Sequence, residues 1–118
     1  MADIESIAKD GVRVARICDP QVCGEDYVHR VGIKLTKIVS EMREPALVLN
    51  LEKVKFMASA MIGKLVLLSK QCKSKNIGFS VCSLDSNVAE AIQLTQIDKI
   101  LSVHSSQEAA ISAVISSE

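Results

Sequence analysis

The chain has 118 residues, of which 48% are apolar, and this length and composition fit one small domain with a single core over residues 1–118. Its 14 basic and 14 acidic side chains cancel, and it has one Tyr, two Phe and no Trp, so composition argues against a nucleic-acid-binding surface. No apolar stretch reaches the roughly 20 residues of a membrane span, and the acidic start lacks the features of an export signal, so we expect a cytoplasmic protein.

The first part of the chain predicts strands on both sides of a helix. Residues 11–18 alternate apolar and basic side chains, as a half-buried strand does, and the isoleucines of residues 4–7 predict an edge strand or turn before it. The Asp-Pro pair at residues 19–20 ends that strand. Apolar positions three and four apart predict a helix over residues 24–43, and the apolar run 46–51 predicts a central strand.

The second part continues the alternation of helices and strands. A second helix follows the loop 52–56, and its apolar side is predicted to consist of Ile62, Leu65, Val66, Ser69 and Cys72. Residues 79–83 and 100–103 predict two further strands, and helix-start patterns at Asn87 and Ser105 predict the last two helices. The order β-α-β-α-β-α-β-α predicts an α/β fold with a mostly parallel central sheet, about four helices and a possible antiparallel edge strand at the N-terminus.

The sequence contains no pattern that is typical of an enzyme, a metal site or a cofactor site. The four cysteines form no C-x-x-C pair and the two histidines are far apart, which favours free thiols over zinc ligands. There is no glycine-rich phosphate loop and no carboxylate pair near a histidine. We therefore expect neither catalysis nor a cofactor.

Ser59 is the serine that is best placed for chemistry. It follows an apolar strand and a short loop and opens a helix, where unpaired N–H groups and the helix dipole would stabilise a phosphate by about 0.3–1 kcal/mol. Serine is also a preferred N-cap residue, so a purely structural role as a helix cap remains the alternative.

The residues around this serine also allow two interpretations. Lys53, Lys55 and Lys64 bracket it and would suit an acidic partner or a nucleotide phosphate, unless they are scattered solvent-exposed lysines. Met57 and Met61 flank it and would suit an adaptable docking surface, or would fill the core.

The segment VLNLEKVKFMASAMIGKLVLL resembles the central signature of STAS domains, the family of the anti-sigma factor antagonists and their relatives. In this resemblance Asn50 stands for the aspartate at the strand end, and Ser59 falls on the serine that is phosphorylated in the regulatory members. Ala58 and Ala60 replace the aspartate before that serine and the second serine after it. The segment VAEAIQLTQIDKILSVHSSQEAAISAV also resembles the family's final helix-strand-helix.

The resemblance implies a regulatory protein-binding domain rather than an enzyme. The expected partner is an ATP-dependent anti-sigma serine kinase, which would phosphorylate Ser59 and so be released, and a serine phosphatase would reverse the modification. The residues expected to contact the partner are Lys53, Lys55, Met57, Ala58, Ser59, Ala60, Met61 and Lys64.

Two other functions remain open at the level of sequence. Ala58 and Ala60 favour a non-phosphorylated STAS scaffold in a signalling or transport assembly. A small lipid-handling module with an apolar cleft, or a thiol enzyme, is the third hypothesis.

Overall fold

Strands and helices alternate along the chain. A computed structural model describes residues 4–99 and 101–116. Within them the elements are β1 (Ile4–Lys9), β2 (Val12–Ile17), β3 (Gln21–Val22), α1 (Glu25–Glu41), β4 (Ala46–Asn50), β5 (Phe56–Met57), α2 (Ser59–Ser74), β6 (Gly78–Cys82), α3 (Ser86–Leu94), a 3₁₀ turn (Ile97–Lys99), β7 (Ser102–His104) and α4 (Gln107–Ser116).

Five strands form the central sheet in the order β1-β2-β4-β6-β7. The β1–β2 pair is antiparallel and the other three pairs are parallel, so the predicted α/β fold with an antiparallel N-terminal edge strand is confirmed. Asp10 and Gly11 join β1 to β2 with positive φ angles of 54° and 79°, which suit a tight hairpin turn. The middle strand, β4, is buried at all five positions, as its apolar run predicts.

The two faces of the sheet are covered unequally. Helices α1, α2 and α3 pack on one face, where the core includes Val31, Leu47, Leu65 and Ile92. Helix α4 packs on the other face, through Ala110 and Ile111. Among the described helices, none combines the length and apolarity that crossing a bilayer requires.

The predicted starts of the last two helices are wrong by one or two residues. Asp85, rather than Asn87, is the N-cap of α3, because its carboxylate accepts a 3.0 Å hydrogen bond from the Asn87 N–H. Before α4, the Ser106 hydroxyl, rather than that of Ser105, accepts a 3.1 Å hydrogen bond from the Ala109 N–H. In both places adjacent residues are good capping types, so spacing alone did not distinguish them.

Three other sequence predictions need correction. The last strand lies at Ser102–His104 rather than at residues 100–103, and Ile100 lies outside the described residues. On α2, Met61 and Leu68 are buried, whereas the predicted core positions Val66 and Ser69 are half-buried. The short strands β3 and β5 were not predicted, because two residues carry no periodic pattern.

Candidate partner-binding site

The candidate site lies at the edge of the sheet where the parallel strands end. In such sheets the loops that follow the carboxyl ends of the strands meet ligands and partners. The loop of residues 51–58, called here the Ser59 loop, leaves β4 at this edge and leads directly into α2.

Asn50 fixes the start of the Ser59 loop from inside the protein. This residue is 3% exposed, and its Oδ1 accepts a 2.9 Å hydrogen bond from the Glu52 N–H. Its Nδ2 donates a 2.8 Å hydrogen bond to Oε1 of Gln107, the first residue of α4. The buried amide is thus paired on both sides and joins the loop to the helix on the opposite face of the sheet.

The middle of the loop is held by backbone hydrogen bonds to the segment after β2. The N–H groups of Lys55 and Phe56 both donate to the Pro20 carbonyl, at 2.7 and 3.1 Å. The Ala58 N–H donates to the Val22 carbonyl at 2.9 Å, and β5 pairs with β3 in a small parallel sheet. The position of the loop therefore depends on backbone groups rather than on the identity of its exposed side chains.

Ser59 does not cap α2, so the alternative of a purely structural helix cap is wrong. The N-cap is Ala58, which has extended backbone angles (φ −69°, ψ 152°) and accepts hydrogen bonds from Met61 N–H at 2.9 Å and Ile62 N–H at 3.2 Å. Ser59 is already the first helical residue, from which the hydroxyl cannot take the N-cap position.

The start of α2 is open to an anion. Within the described part of the chain, no side chain caps this helix, and its first turn contains no acidic residue. The Ser59 side chain is exposed, and the positive end of the helix dipole lies beside it. A phosphate on this hydroxyl would lie next to the unpaired N–H groups of the first turn.

The three lysines of the predicted site differ in their surroundings. Lys53 is exposed. Lys55 is also exposed, and its ammonium lies 3.7 Å from Oδ2 of Asp85, the N-cap residue of α3. Lys64 is half-buried, and its aliphatic stem lies over Gly32 of α1, since a Cβ atom built on that glycine would be 3.2 Å from Lys64 Cδ.

Two of the predicted contact residues belong to the core instead. Met57 is 4% exposed and Met61 is 0% exposed, and both pack in the cluster between the sheet and its three helices. In this conformation both side chains fill the core, as the second interpretation of these methionines has it, and neither is accessible to a partner. Ala58 is half-buried and Ala60 is exposed, so both remain at the surface beside Ser59.

An open depression on the α1 side of the α2 start carries charges of both signs. Glu25 and Asp26, in the first turn of α1, line it together with Ala58, Ala60 and Lys64. The two carboxylates oppose the favourable effect of the α2 dipole on an added phosphate, and the Lys64 ammonium opposes the carboxylates.

The four cysteines are thiols with different exposures. Cys18 and Cys23 are half-buried, and Cys72 and Cys82 are buried. Burial raises the pKa of the Cys72 thiol to about 11 and also raises that of Cys82, so neither buried thiol is poised as a nucleophile. Among the described residues, no three His, Cys, Asp or Glu side chains are grouped in a way that would hold a metal ion.

Sequence reasoning missed the groups that position the Ser59 loop. Pro20 and Val22 act through their carbonyls, which no side-chain pattern reveals. Gln107 was missed because it is 57 residues away from Asn50 in the sequence. Asn50 itself could have been found, since one polar residue at the end of an apolar strand indicates a buried hydrogen bond.

The sheet order, the unequal helix layers and the loop that leads to Ser59 define a class of α/β domains with a strand-loop-helix site at the sheet edge. A sequence profile of the STAS domain matches residues 24–110, and the chain therefore belongs to the STAS family.

Solved structures of several relatives have the same fold. An anti-sigma-factor antagonist (STAS) domain protein from Planctomyces limnophilus is similar at a TM-score of 0.83 and 26% identity, over 97% of this chain and 98% of that one. An anti-sigma factor antagonist from Mycobacterium paratuberculosis has a TM-score of 0.80 at 24% identity, over 95% and 94% of the two chains. A sulfate transporter family protein from Wolinella succinogenes has a TM-score of 0.73 at 13% identity, over 92% and 88%.

Proposed function

We propose that this STAS protein is an anti-sigma factor antagonist that binds an ATP-dependent anti-sigma serine kinase and is switched by phosphorylation of Ser59. It acts as a binding protein in the cytoplasm, not as an enzyme, and a serine phosphatase restores the unmodified form. The observation that carries this proposal is the exposed Ser59 hydroxyl, free of a capping role, at the open start of α2.

The fixed position of the loop supports such a switch. A kinase must place a hydroxyl against the γ-phosphate of ATP, and a loop held by three backbone hydrogen bonds presents Ser59 in one geometry. The partner surface consists of the exposed or half-buried members of the predicted set: Lys53, Lys55, Ala58, Ser59, Ala60 and Lys64.

Charge supplies the mechanism of release. A phosphoryl group adds about −1.5 to −2 charges at neutral pH, and burying that charge in a packed interface without cationic partners is unfavourable. Among the described hydrogen bonds and ion pairs, none joins Lys55 or Lys64 to Ser59: Lys55 lies near Asp85, and Lys64 lines the depression that Ala58 and Ala60 also line. Phosphorylation would therefore weaken the complex rather than tighten it.

A matched pair of substitutions tests the switch. Ser86 is an exposed first residue of α3, as Ser59 is of α2, so Ser59→Asp and Ser86→Asp add the same charge at equivalent helix positions. Affinity for recombinant anti-sigma kinases from the source genome is measured by calorimetry with Mg-ADP. Ser59→Asp is expected to weaken binding at least about tenfold, and Ser86→Asp to change it less than about twofold.

Phosphorylation itself is measured by intact mass after incubation with the kinase and Mg-ATP. One added phosphoryl group is expected on the wild-type protein and none on Ser59→Ala. A phosphate that persists in Ser59→Ala, or wild-type protein that stays unmodified while it binds the kinase, contradicts the switch.

A second candidate is a non-phosphorylated scaffold in a signalling or transport assembly. It is favoured by Glu25 and Asp26, whose carboxylates beside Ala58 and Ala60 disfavour a phosphate near the α2 start. Under this function Ser59→Asp leaves partner affinity unchanged within about twofold, and Mg-ATP does not release the partner.

A further inference from the structure

A groove on the outer surface runs between α1 and α2. It encloses about 260 Å³ and is lined by His29, Gly32, Ile33, Leu35, Thr36, Lys64, Leu67, Leu68 and Gln71. Within each helix the lining residues recur at intervals of three and four, so each helix contributes one continuous stripe.

Two large aliphatic side chains stand exposed in this groove. Ile33 is 55% exposed and Leu67 is 60% exposed, one from each helix. The other exposed large hydrophobics of the described residues, Ile7, Phe56, Leu94 and Val103, do not line it. Exposed apolar side chains that share one concave surface are typical of an interaction site, whereas isolated ones are not.

The two helices run in the same direction, because each connects parallel strands of the sheet. Their contacts fix the register: Lys64 lies over Gly32, and the Lys75 ammonium donates a 3.4 Å hydrogen bond to the Val39 carbonyl. The start of α1 and the start of α2 therefore lie at one end of the groove, and their last turns lie at the other.

The two ends of the groove carry opposite charges. At the first end, Glu25 and Asp26 begin α1 and line the depression that continues the groove, and Lys64 lines it too, so two carboxylates meet one ammonium. At the second end, Lys37 and Glu41 are exposed on the last half of α1, and Lys73 and Lys75 end α2, so the positive charges outnumber the negative one. Ile33 and Leu67 lie between these ends.

We propose that this face binds a second copy of the same chain in a two-fold symmetric dimer. The two-fold axis would pass near Ile33 and Leu67, in the plane of the interface and perpendicular to the helices. It would set the helix pairs antiparallel, with Leu67 of each copy entering the groove of the other. The acidic end of one copy would then face the basic end of its partner, twice. An interface of this kind must be complementary to itself, and a charge gradient with an apolar centre meets that condition.

The size of the face fits a reversible dimer. The 17 residues of α1 extend about 25 Å, and two adjacent helices are about 20 Å wide, so the flat footprint approaches 500 Å². The accessible area of the ridged surface is larger and comes near the roughly 600–800 Å² per partner of a small specific interface.

This dimer would share part of the proposed kinase surface. Ser59 lines neither the groove nor the depression at its end, whereas Ala58, Ala60 and Lys64 of the proposed kinase surface do. The dimer can be measured without a kinase or ATP, so its test does not depend on the proposed switch.

Sedimentation equilibrium of the full chain tests the apolar centre. The wild-type protein is expected to dimerise in the micromolar range, and Leu67→Glu to weaken dimerisation at least about tenfold, because two carboxylates would enter the apolar grooves. Leu94→Glu is the matched control, since Leu94 is 77% exposed on α3 and should leave dimerisation unchanged. Circular dichroism and urea unfolding confirm that each variant is folded.

A charge exchange tests the pairing of the ends. We expect two double variants to be monomeric, because like charges then meet at both ends. They are Glu25→Lys/Asp26→Lys and Lys37→Glu/Lys75→Glu. When the two are mixed, both ends become complementary and a heterodimer should form.

Three results would overturn the dimer proposal. One is wild-type protein that stays monomeric at several hundred micromolar, a concentration far above the expected range. Another is a dimer that Leu67→Glu does not weaken. The third is a mixture of the two charge variants that associates no better than either variant alone.

Discussion

Asn50 shows how one polar side chain can serve the site from the core. The four residues before it in β4 are apolar and buried, and Asn50 itself is 3% exposed. A buried amide is tolerated only with its hydrogen bonds made, and here both are made, one to the Glu52 N–H and one to Gln107. The cost of burial is thereby offset, and the loop and α4 are held together.

Asn50→Ala is expected to destabilise the protein by about 1–3 kcal/mol, because it removes both hydrogen bonds of the buried amide. The free energy of unfolding in urea measures this change. Asn87→Ala, at an exposed position on α3, serves as the control and should cost less than about 0.5 kcal/mol. An equal loss in the two variants would mean that the buried hydrogen bonds have no special role.

The thiols provide a second measurement at the residue scale. In the folded protein at pH 8, a thiol reagent is expected to label Cys18 and Cys23 and to leave Cys72 and Cys82 unmodified. The last two are buried, and burial raises their pKa, to about 11 for Cys72.

Peptide mass mapping identifies the labelled thiols, and protein unfolded in urea provides the control in which all four react. Rapid labelling of Cys72 in the folded state would contradict its burial. It would also support the thiol-enzyme hypothesis, against which the burial of Cys72 and Cys82 argues.

At the scale of elements, one ion pair joins two neighbouring strands. Arg13 in β2 makes two hydrogen bonds to Glu44, just before β4: Nε donates to Oε1 at 3.1 Å and Nη2 to Oε2 at 2.9 Å. These bonds hold the pKa of the Glu44 carboxyl below its usual value of 4.5. A two-pronged contact of this type is stronger than a single surface ion pair.

This ion pair predicts a pH dependence of stability. A lowered pKa in the folded state means that the contribution of Glu44 is present above pH 4.5 and is lost as the pH falls through the folded value. Glu44→Gln should therefore be less stable than wild type at pH 7 by about 1 kcal/mol, and the difference should shrink on acidification.

Urea unfolding at a series of pH values measures this dependence. Glu90→Gln removes an exposed carboxylate from α3 and serves as the control. It should have little effect on the free energy of unfolding at any pH in the series. A Glu44→Gln difference that stays constant from pH 7 to pH 3 would rule out an ionic origin.

The periodic elements of this fold could be predicted from sequence, and the junctions between them could not. Helix α1 and strand β4 followed from their apolar spacing, because burial on one face or on both leaves a pattern in the sequence. The caps of α3 and α4 did not follow, because Asp85 and Ser106 each have neighbours of similar capping strength.

The candidate site was predicted in position but not in detail. The place of Ser59 at a helix start followed from the chain order, whereas its lack of a capping role depends on the extended backbone of Ala58. Met57 and Met61 were ambiguous because methionine suits both surfaces and cores, and only the packing of α2 on the sheet decides between them.

At the scale of the whole molecule, the absence of net charge conceals an ordered distribution. The 14 basic and 14 acidic side chains exclude a large overall field, yet the α1–α2 groove has an acidic end and a basic end. Composition gives the net charge of the chain, but it contains no information about how the charges are arranged in space.

The backbone attachment of the Ser59 loop also has an evolutionary consequence. Because the Pro20 and Val22 carbonyls hold the loop, substitutions of the exposed side chains at Lys53 or Lys55 change its surface chemistry without removing the backbone bonds that place it. Such a loop can acquire new partners, or lose an old modification, while the domain stays folded. Divergence would then accumulate in the exposed side chains, and selection for folding would act on Asn50 and on the segment after β2.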